Sequence, residues 1–288
     1  MNAQELYGRL NADFIKDGIS DYNWAARMPV LDKYLHPEFR QSGMGLLFDF
    51  ADSIEKVYTT VFLSDEVLET ILSSDTANAL IFSHHPTNWD IEGHGGNYAA
   101  TERIIAQIKE RNIAVYVLHH PLDNYSPYAT CQTMADAVGL QVERPAFLYC
   151  GAWCGVIGTM ADCPDIYALQ ARFATAVGHR ASLYPYGHHP EHEHIQGQKI
   201  AVAPGGGNVD FVLEEMLRDN IKILMTGVTL INEYSAASHT FARENGITLL
   251  GGTHYSTEKF APMAMCRYFA ELGLAAEFIE DAPKLYDI

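Results

Sequence analysis

The chain has 288 residues, 48% of them hydrophobic, and its 36 acidic against 19 basic side chains give a formal charge of -17. That is enough apolar material for one large domain or two modest ones, while no run approaches the roughly 20 apolar residues of a bilayer span. A field of this sign repels a phosphate backbone and no local basic patch offsets it, so neither nucleic acid nor a membrane is an expected partner.

Residues 5–17 have the pattern of an amphipathic helix, with acidic side chains and no apolar signal region. The cysteines Cys131, Cys150, Cys154, Cys163 and Cys266 form no C-x-x-C pair and are odd in number, which fits reduced thiols in a cytoplasmic protein. Pro29 and Pro37 break the next stretch, and residues 43–50 (GMGLLFDF) form a short apolar strand candidate.

A regular order then sets in. Residues 56–63 (KVYTTVFL) are strand-like, 65–74 helical, and 78–83 (NALIFS) an apolar strand that ends at His84-His85-Pro86. Beyond a Gly-rich loop at 94–97, residues 98–112 are an amphipathic helix and 113–118 (IAVYVL) a strand that ends at His119-His120-Pro121. Residues 136–140 resemble a helix end marked by Gly139. The stretch 143–198 is rich in Gly, Pro, aromatics and His, and is expected to be a linker or cap holding one helix at 165–177. Strand and helix alternate again from 199 to the C-terminus, with strands at 199–204, 221–227 and 247–252 and helices after each. The expectation is an α/β protein with two α/β lobes, mostly parallel or mixed sheets, flanking a central metal-binding cleft. The lobes would span 1–140 and 199–288, with the linker or cap at 141–198.

Open α/β sheets place their working groups beyond the carboxyl ends of the strands. Three motifs lie there: His84 and His85; His119 with Asp123 four residues on; and GGTHYSTE, which sets His254 and Glu258 four apart at a helix start. Singly, each has a plain structural explanation, as an exposed turn, a turn cap or a helix-start hydrogen bond. Together, His84, His85, Asp123, His254 and Glu258 are a nitrogen and oxygen donor set suited to divalent Zn, Fe, Mn or Ni. Five side chains exceed one tetrahedral ion and suit two metals sharing a bridging carboxylate. His119 is then the candidate catalytic group, a proton shuttle beside the ions. A third His-His-Pro copy, with His188, His189, His192 and His194, lies in a polar run with no strand before it and resembles a solvated loop or a lid. Gly205–Gly207, between a strand and a helix, suits a tight turn or an anion cradle, without a nucleotide fingerprint.

The pieces ALIFSHHP, NIAVYVLHHPLDN, KIAVAPGGGNVD, ILMTG and GITLLGGTHYSTE, in this order over residues 46–274, resemble the dinuclear-metal family of GTP cyclohydrolase 1 type 2 homologues, founded on a yeast transcription-adaptor-interacting factor. The resemblance implies two divalent metals in a central cleft, held by His84, His85, Asp123, His254 and Glu258 with His119 beside them. It also implies dimers assembled into a ring-shaped homohexamer. The family name implies GTP ring opening. This chain departs from the family at EFRQSGMGLL, where a Trp-Asp-Asn element is usual, at Phe62 and Ser64, where an aspartate is frequent, and at Val228, where an acid is common. The leading expectation is a metal-dependent hydrolase of a small phosphorylated or heterocyclic substrate. The alternative is a non-catalytic metal-binding or adaptor protein forming a ring.

Overall fold

The computed structural model describes residues 1–86, 101–187, 194–233 and 235–288. The Gly-rich loop at 94–97 and the histidines His188, His189 and His192 lie outside the described residues; His194 is described and exposed.

In chain order the first elements are α1 (Ala3–Phe14), α2 (Trp24–Arg27), α3 (Pro37–Ser42), β1 (Gly45–Phe48), β2 (Lys56–Thr60), α4 (Asp65–Ser73), β3 (Ala79–Ser83), α5 (Glu102–Glu110), β4 (Ile113–Val117) and α6 (His120–Asp123). There follow α7 (Thr130–Val138), β5 (Gln141–Tyr149), β6 (Ala152–Thr159), α8 (Ile166–Val177), β7 (Ser182–Tyr184), β8 (Ile200–Ala203) and α9 (Asp210–Arg218). The chain ends with β9 (Ile223–Thr226), α10 (Ala236–Glu244), β10 (Thr248–Gly251), α11 (His254–Glu258), α12 (Phe260–Glu271) and β11 (Ala275–Phe278).

Two compact α/β units result. The first comprises Met1–Leu122, Cys150–Ala152 and Pro262–Asp281, and the second Asp123–Tyr149, Trp153–Ala261 and Ala282–Ile288. This division differs from the one the sequence suggests. The stretch expected as linker or cap supplies β5, β6, α8 and β7 to the second unit, and Pro262–Asp281 returns to the first. Antiparallel strands with one wet face lack the apolar runs that mark buried parallel strands, so they resemble loops in the sequence.

The sheet of the first unit has the order β1-β4-β3-β2-β11. Strands β11, β2, β3 and β4 are parallel and β1 is antiparallel at the edge. Every residue of β3 and β4 is buried, which explains their unbroken apolar sequences. Helices α4 and α5 cover one face: Val67, Leu68, Ile71, Ile104, Ile105 and Ile108 pack with Ile81 and Val115. Ser64 and Thr101 cap these two helices, accepting from the N–H groups of Val67 and Ile104. On the opposite face Phe82 meets Phe269 of α12 edge-on, with centroids 5.6 Å apart.

The sheet of the second unit has the order β5-β6-β8-β9-β10-β7, with β8, β9 and β10 parallel. One face packs on α7 and α8 through Ile223, Met225, Leu169 and Phe173, and the other on α9 and α10 through Leu224, Leu213, Met216 and Ala242. Alternate residues of β9 therefore face opposite helix layers.

Candidate metal centre

In the first unit, the parallel pairing of β3 and β4 puts Ser83 opposite Val117, so the histidine pairs that follow the two strands emerge side by side. The ladder runs on past the strands. The His84 N–H donates to Thr60 O (3.1 Å), the His85 N–H to Val61 O (2.8 Å) and the Leu118 N–H to Ser83 O (3.1 Å). His84 and His85 are fully buried and His119 is 6% exposed, so these imidazoles are not turn decoration. Their ring centroids lie 4.3 Å apart for His84–His85, 5.3 Å for His84–His119 and 4.8 Å for His85–His119. One ring nitrogen from each of the three falls within 4.8 Å of the others.

Fixed acceptors orient these rings. His84 Nδ1 lies 2.9 Å from Leu118 O, and a carbonyl only accepts, so Nδ1 carries the hydrogen and Nε2 the lone pair. His119 Nδ1 lies 2.9 Å from Asp21 Oδ1, which sets the same tautomer. His120 Nδ1 donates to Ser20 O at 2.7 Å, and its backbone N–H to Asp21 Oδ2 at 3.1 Å. Asp21 Oδ1 also accepts from the Tyr22 N–H (2.7 Å) and Trp24 Nε1 (2.9 Å). Burial by itself would push the Asp21 carboxyl up, but His119, His120 and the Tyr22 N–H together hold it below the ordinary carboxylate value. His85 stacks on Phe62, 4.6 Å away and only 10° from parallel.

In the second unit, α11 begins one residue after the Gly251-Gly252 turn with a capping box, Thr253 and Ser256 each bonding the other's backbone N–H. This single turn sets His254 and Glu258 on one side, with Nε2 and Oε2 3.2 Å apart. The residues are 9% and 5% exposed. The His254 N–H donates to Asp287 Oδ2 at 2.9 Å, which ties the turn to the C-terminal segment. Gly205 closes over the pair: a Cβ there would lie 2.1 Å from Glu258 Oε1 and 3.1 Å from His254 Nε2. Its φ of +61° is also one that glycine adopts without strain. Asp123, the first residue of this unit, accepts from Thr130 Oγ1 at 2.7 Å.

Buried imidazoles with oriented nitrogens, and a carboxylate with room held open by a glycine, are a nitrogen and oxygen set that fits a divalent cation. These buried His, Asp and Glu groups could hold a metal ion. The structure gathers His84, His85 and His119 within the first unit, and His254 with Glu258 within the second. The Gly205–Gly207 loop behaves as a tight turn. The Gly205 N–H donates to Thr257 Oγ1 (3.0 Å), and its carbonyl accepts from Gly227 (3.1 Å) and Val228 (2.9 Å). Asp21 escapes a reading of the sequence, because it precedes His119 by 98 residues and belongs to no periodic element.

Comparison with known proteins places the chain among relatives. A curated GTP cyclohydrolase 1 type 2 homolog of Archaeoglobus fulgidus is 25% identical over 268 residues, covering 90% of this chain and 98% of that protein. Its counterpart in Halobacterium salinarum is 27% identical over 235 residues, covering 79% and 84%. Among solved structures, protein ybgI, of unknown function, superposes with a TM-score of 0.72 at 19% identity, over 98% of this chain and 100% of that one. The family model of Duf34/NIF3 (NGG1p interacting factor 3) matches residues 28–283, and the chain belongs to that family.

Proposed function

We propose that this chain is a metal-dependent hydrolase of a small heterocyclic or phosphorylated substrate. In this reading His84 and His85 join Asp123, His254 and Glu258 around two divalent cations, and His119 is the group that takes up a proton. The observation that carries it is the buried cluster of His84, His85 and His119, with His84 and His119 locked through Nδ1. Divalent cations bound there would make a coordinated water more acidic and polarise a substrate oxygen. The protein's own part is to orient. Asp21 fixes the His119 ring so that Nε2 is the proton acceptor. The capped turn of α11 keeps His254 and Glu258 in register, and burial excludes bulk water from both sets. The name carried by the relatives supports heterocycle hydrolysis and leaves the substrate open.

We further propose a cytoplasmic homo-oligomer, a hexamer built of dimers as the resemblance implies, with no nucleic-acid or membrane partner given the charge of -17 and the absence of a long apolar run. A solution mass equal to one 32.0 kDa chain would contradict that assembly. For the activity, the test is turnover by the chelator-stripped protein, with and without added Zn, Mn, Fe or Ni, on cyclic amides, nucleotides and phosphoesters. The expected result is metal-restored hydrolysis of one class, abolished by Glu258→Ala. Full metal loading with no turnover of any class would overturn the hydrolase reading.

A further inference from the structure

Two buried polar side chains of the second unit stand apart from the His254/Glu258 pair. Asn208 is 7% exposed and Thr226 fully buried. Neither Asn208 Oδ1 and Nδ2 nor Thr226 Oγ1 has a hydrogen-bond partner among the described residues. Leaving such groups unmatched in a protein interior is unfavourable.

Thr226 and the loop that carries Asn208 lie on one face of the sheet. Thr226 closes β9, and its Cα partners are Ala203 of β8 and Gly251 of β10. Ile223 and Met225 pack toward α7 and α8, so alternation turns Thr226, with Leu224, toward α9. The β8–α9 loop folds down on the same face. A Cβ on Gly207 would lie 2.6 Å from Ala203 Cβ, so the loop backbone is seated on the residue that pairs with Thr226. Asn208 comes next, and Val209, which opens α9 without a side-chain cap, packs against Ala203's cluster. The carboxyl ends of parallel strands are where α/β sheets hold ligands.

We propose that Asn208 and Thr226 form a recognition subsite for a neutral cis-amide edge, the adjacent N–H and C=O of a small lactam or imide ring. The unmatched groups dictate this class. A primary amide with both atoms unmatched is completed by one donor and one acceptor side by side, and the Thr226 hydroxyl supplies a further donor to the ring carbonyl. A phosphate is chiefly an acceptor and an anion, matches Asn208 Oδ1 poorly, and would enter a loop whose Gly205 adjoins the Glu258 carboxylate. The subsite deepens the hydrolase reading by naming its substrate class, and its use by the enzyme rests on that reading. Binding itself does not need the metal.

The test uses the chelator-stripped full chain, titrated with succinimide, uracil and inorganic phosphate and followed by saturation-transfer NMR. The expected result is saturable binding of both imides and not of phosphate, weakened about tenfold or more by Thr226→Val and by Asn208→Leu. Thr226→Val removes an unmatched hydroxyl at constant volume, so it should melt no lower than the parent. Imide affinity unchanged in Thr226→Val would overturn the proposal. So would phosphate binding in place of imides, or a lower melting temperature for Thr226→Val, which would show the hydroxyl already satisfied by a structural water. Failure here with metal content intact removes only the subsite. Imide binding by a chain that never loads metal removes only the hydrolase reading.

Discussion

At the residue scale, position is set by partners more than by proximity in sequence. Asp21 receives four donors, from His119, His120, Tyr22 and Trp24, and so fixes a ring that the β4 strand alone would leave able to rotate. Asp21→Ala should therefore weaken metal binding about 10–100-fold, as read by competition with a chromophoric chelator. In the metal-free protein the ¹⁵N shifts of His119 should change from a single Nδ1–H tautomer to a mixture. Unchanged affinity and tautomer would show that Asp21 only packs. His84 and His85 were legible because they follow directly on an apolar strand, and His254 and Glu258 because they are four apart at a helix start after one, both local signals. Asp21 was not, because a contact across 98 residues leaves no local mark.

Among elements, the buried parallel strands are the ones the sequence announces. β3, β4, β8, β9 and β10 are buried at every residue and read as unbroken apolar runs. β5 is buried only at Ala146 and Phe147, carries Pro145 and so resembles a loop. β11 has no buried residue in Ala-Ala-Glu-Phe, and tertiary pairing makes it a strand: it lies parallel to β2, with Lys56 Nζ 2.7 Å from Glu277 Oε2. The His254/Glu258 turn was expected and is found as α11, whose five residues are too few to be stable without their cap. Thr253→Val keeps the shape and removes the cap. It should cost about 1 kcal/mol in unfolding free energy and lower metal affinity, with Glu258 still in place. A variant as stable and as tight-binding as the parent would show that the strand, rather than the cap, positions the pair.

On the scale of the whole molecule, one buried histidine outside the metal set makes stability depend on pH. His239 of α10 donates through Nε2 to Thr229 O (3.0 Å) and lies with Nδ1 3.0 Å from the Tyr186 hydroxyl, with Tyr184 edge-on at 4.8 Å. Burial pushes its pKa down; the Thr229 carbonyl pulls the other way and Arg243 adds to the lowering. In the unfolded chain the imidazole takes its proton near pH 6.5, whereas the folded chain resists. The stabilisation is thus fully present above about pH 6.5 and is lost as pH falls through the lower folded value. Melting temperature should fall less steeply from pH 7.5 to 5.5 in His239→Gln than in the parent. Parallel slopes would mean that other groups govern acid sensitivity. The division into units was the least legible feature, because the return of Pro262–Asp281 to the first sheet is decided by packing.

The central proposal is that the buried His, Asp and Glu groups of this chain hold divalent cations. The most direct measurement is anomalous diffraction at the metal edge from crystals of metal-loaded protein. The proposal predicts two ordered ions whose ligands are drawn from His84, His85, Asp123, His254 and Glu258. Ions bound at other residues, or no ordered ion after loading, would contradict it.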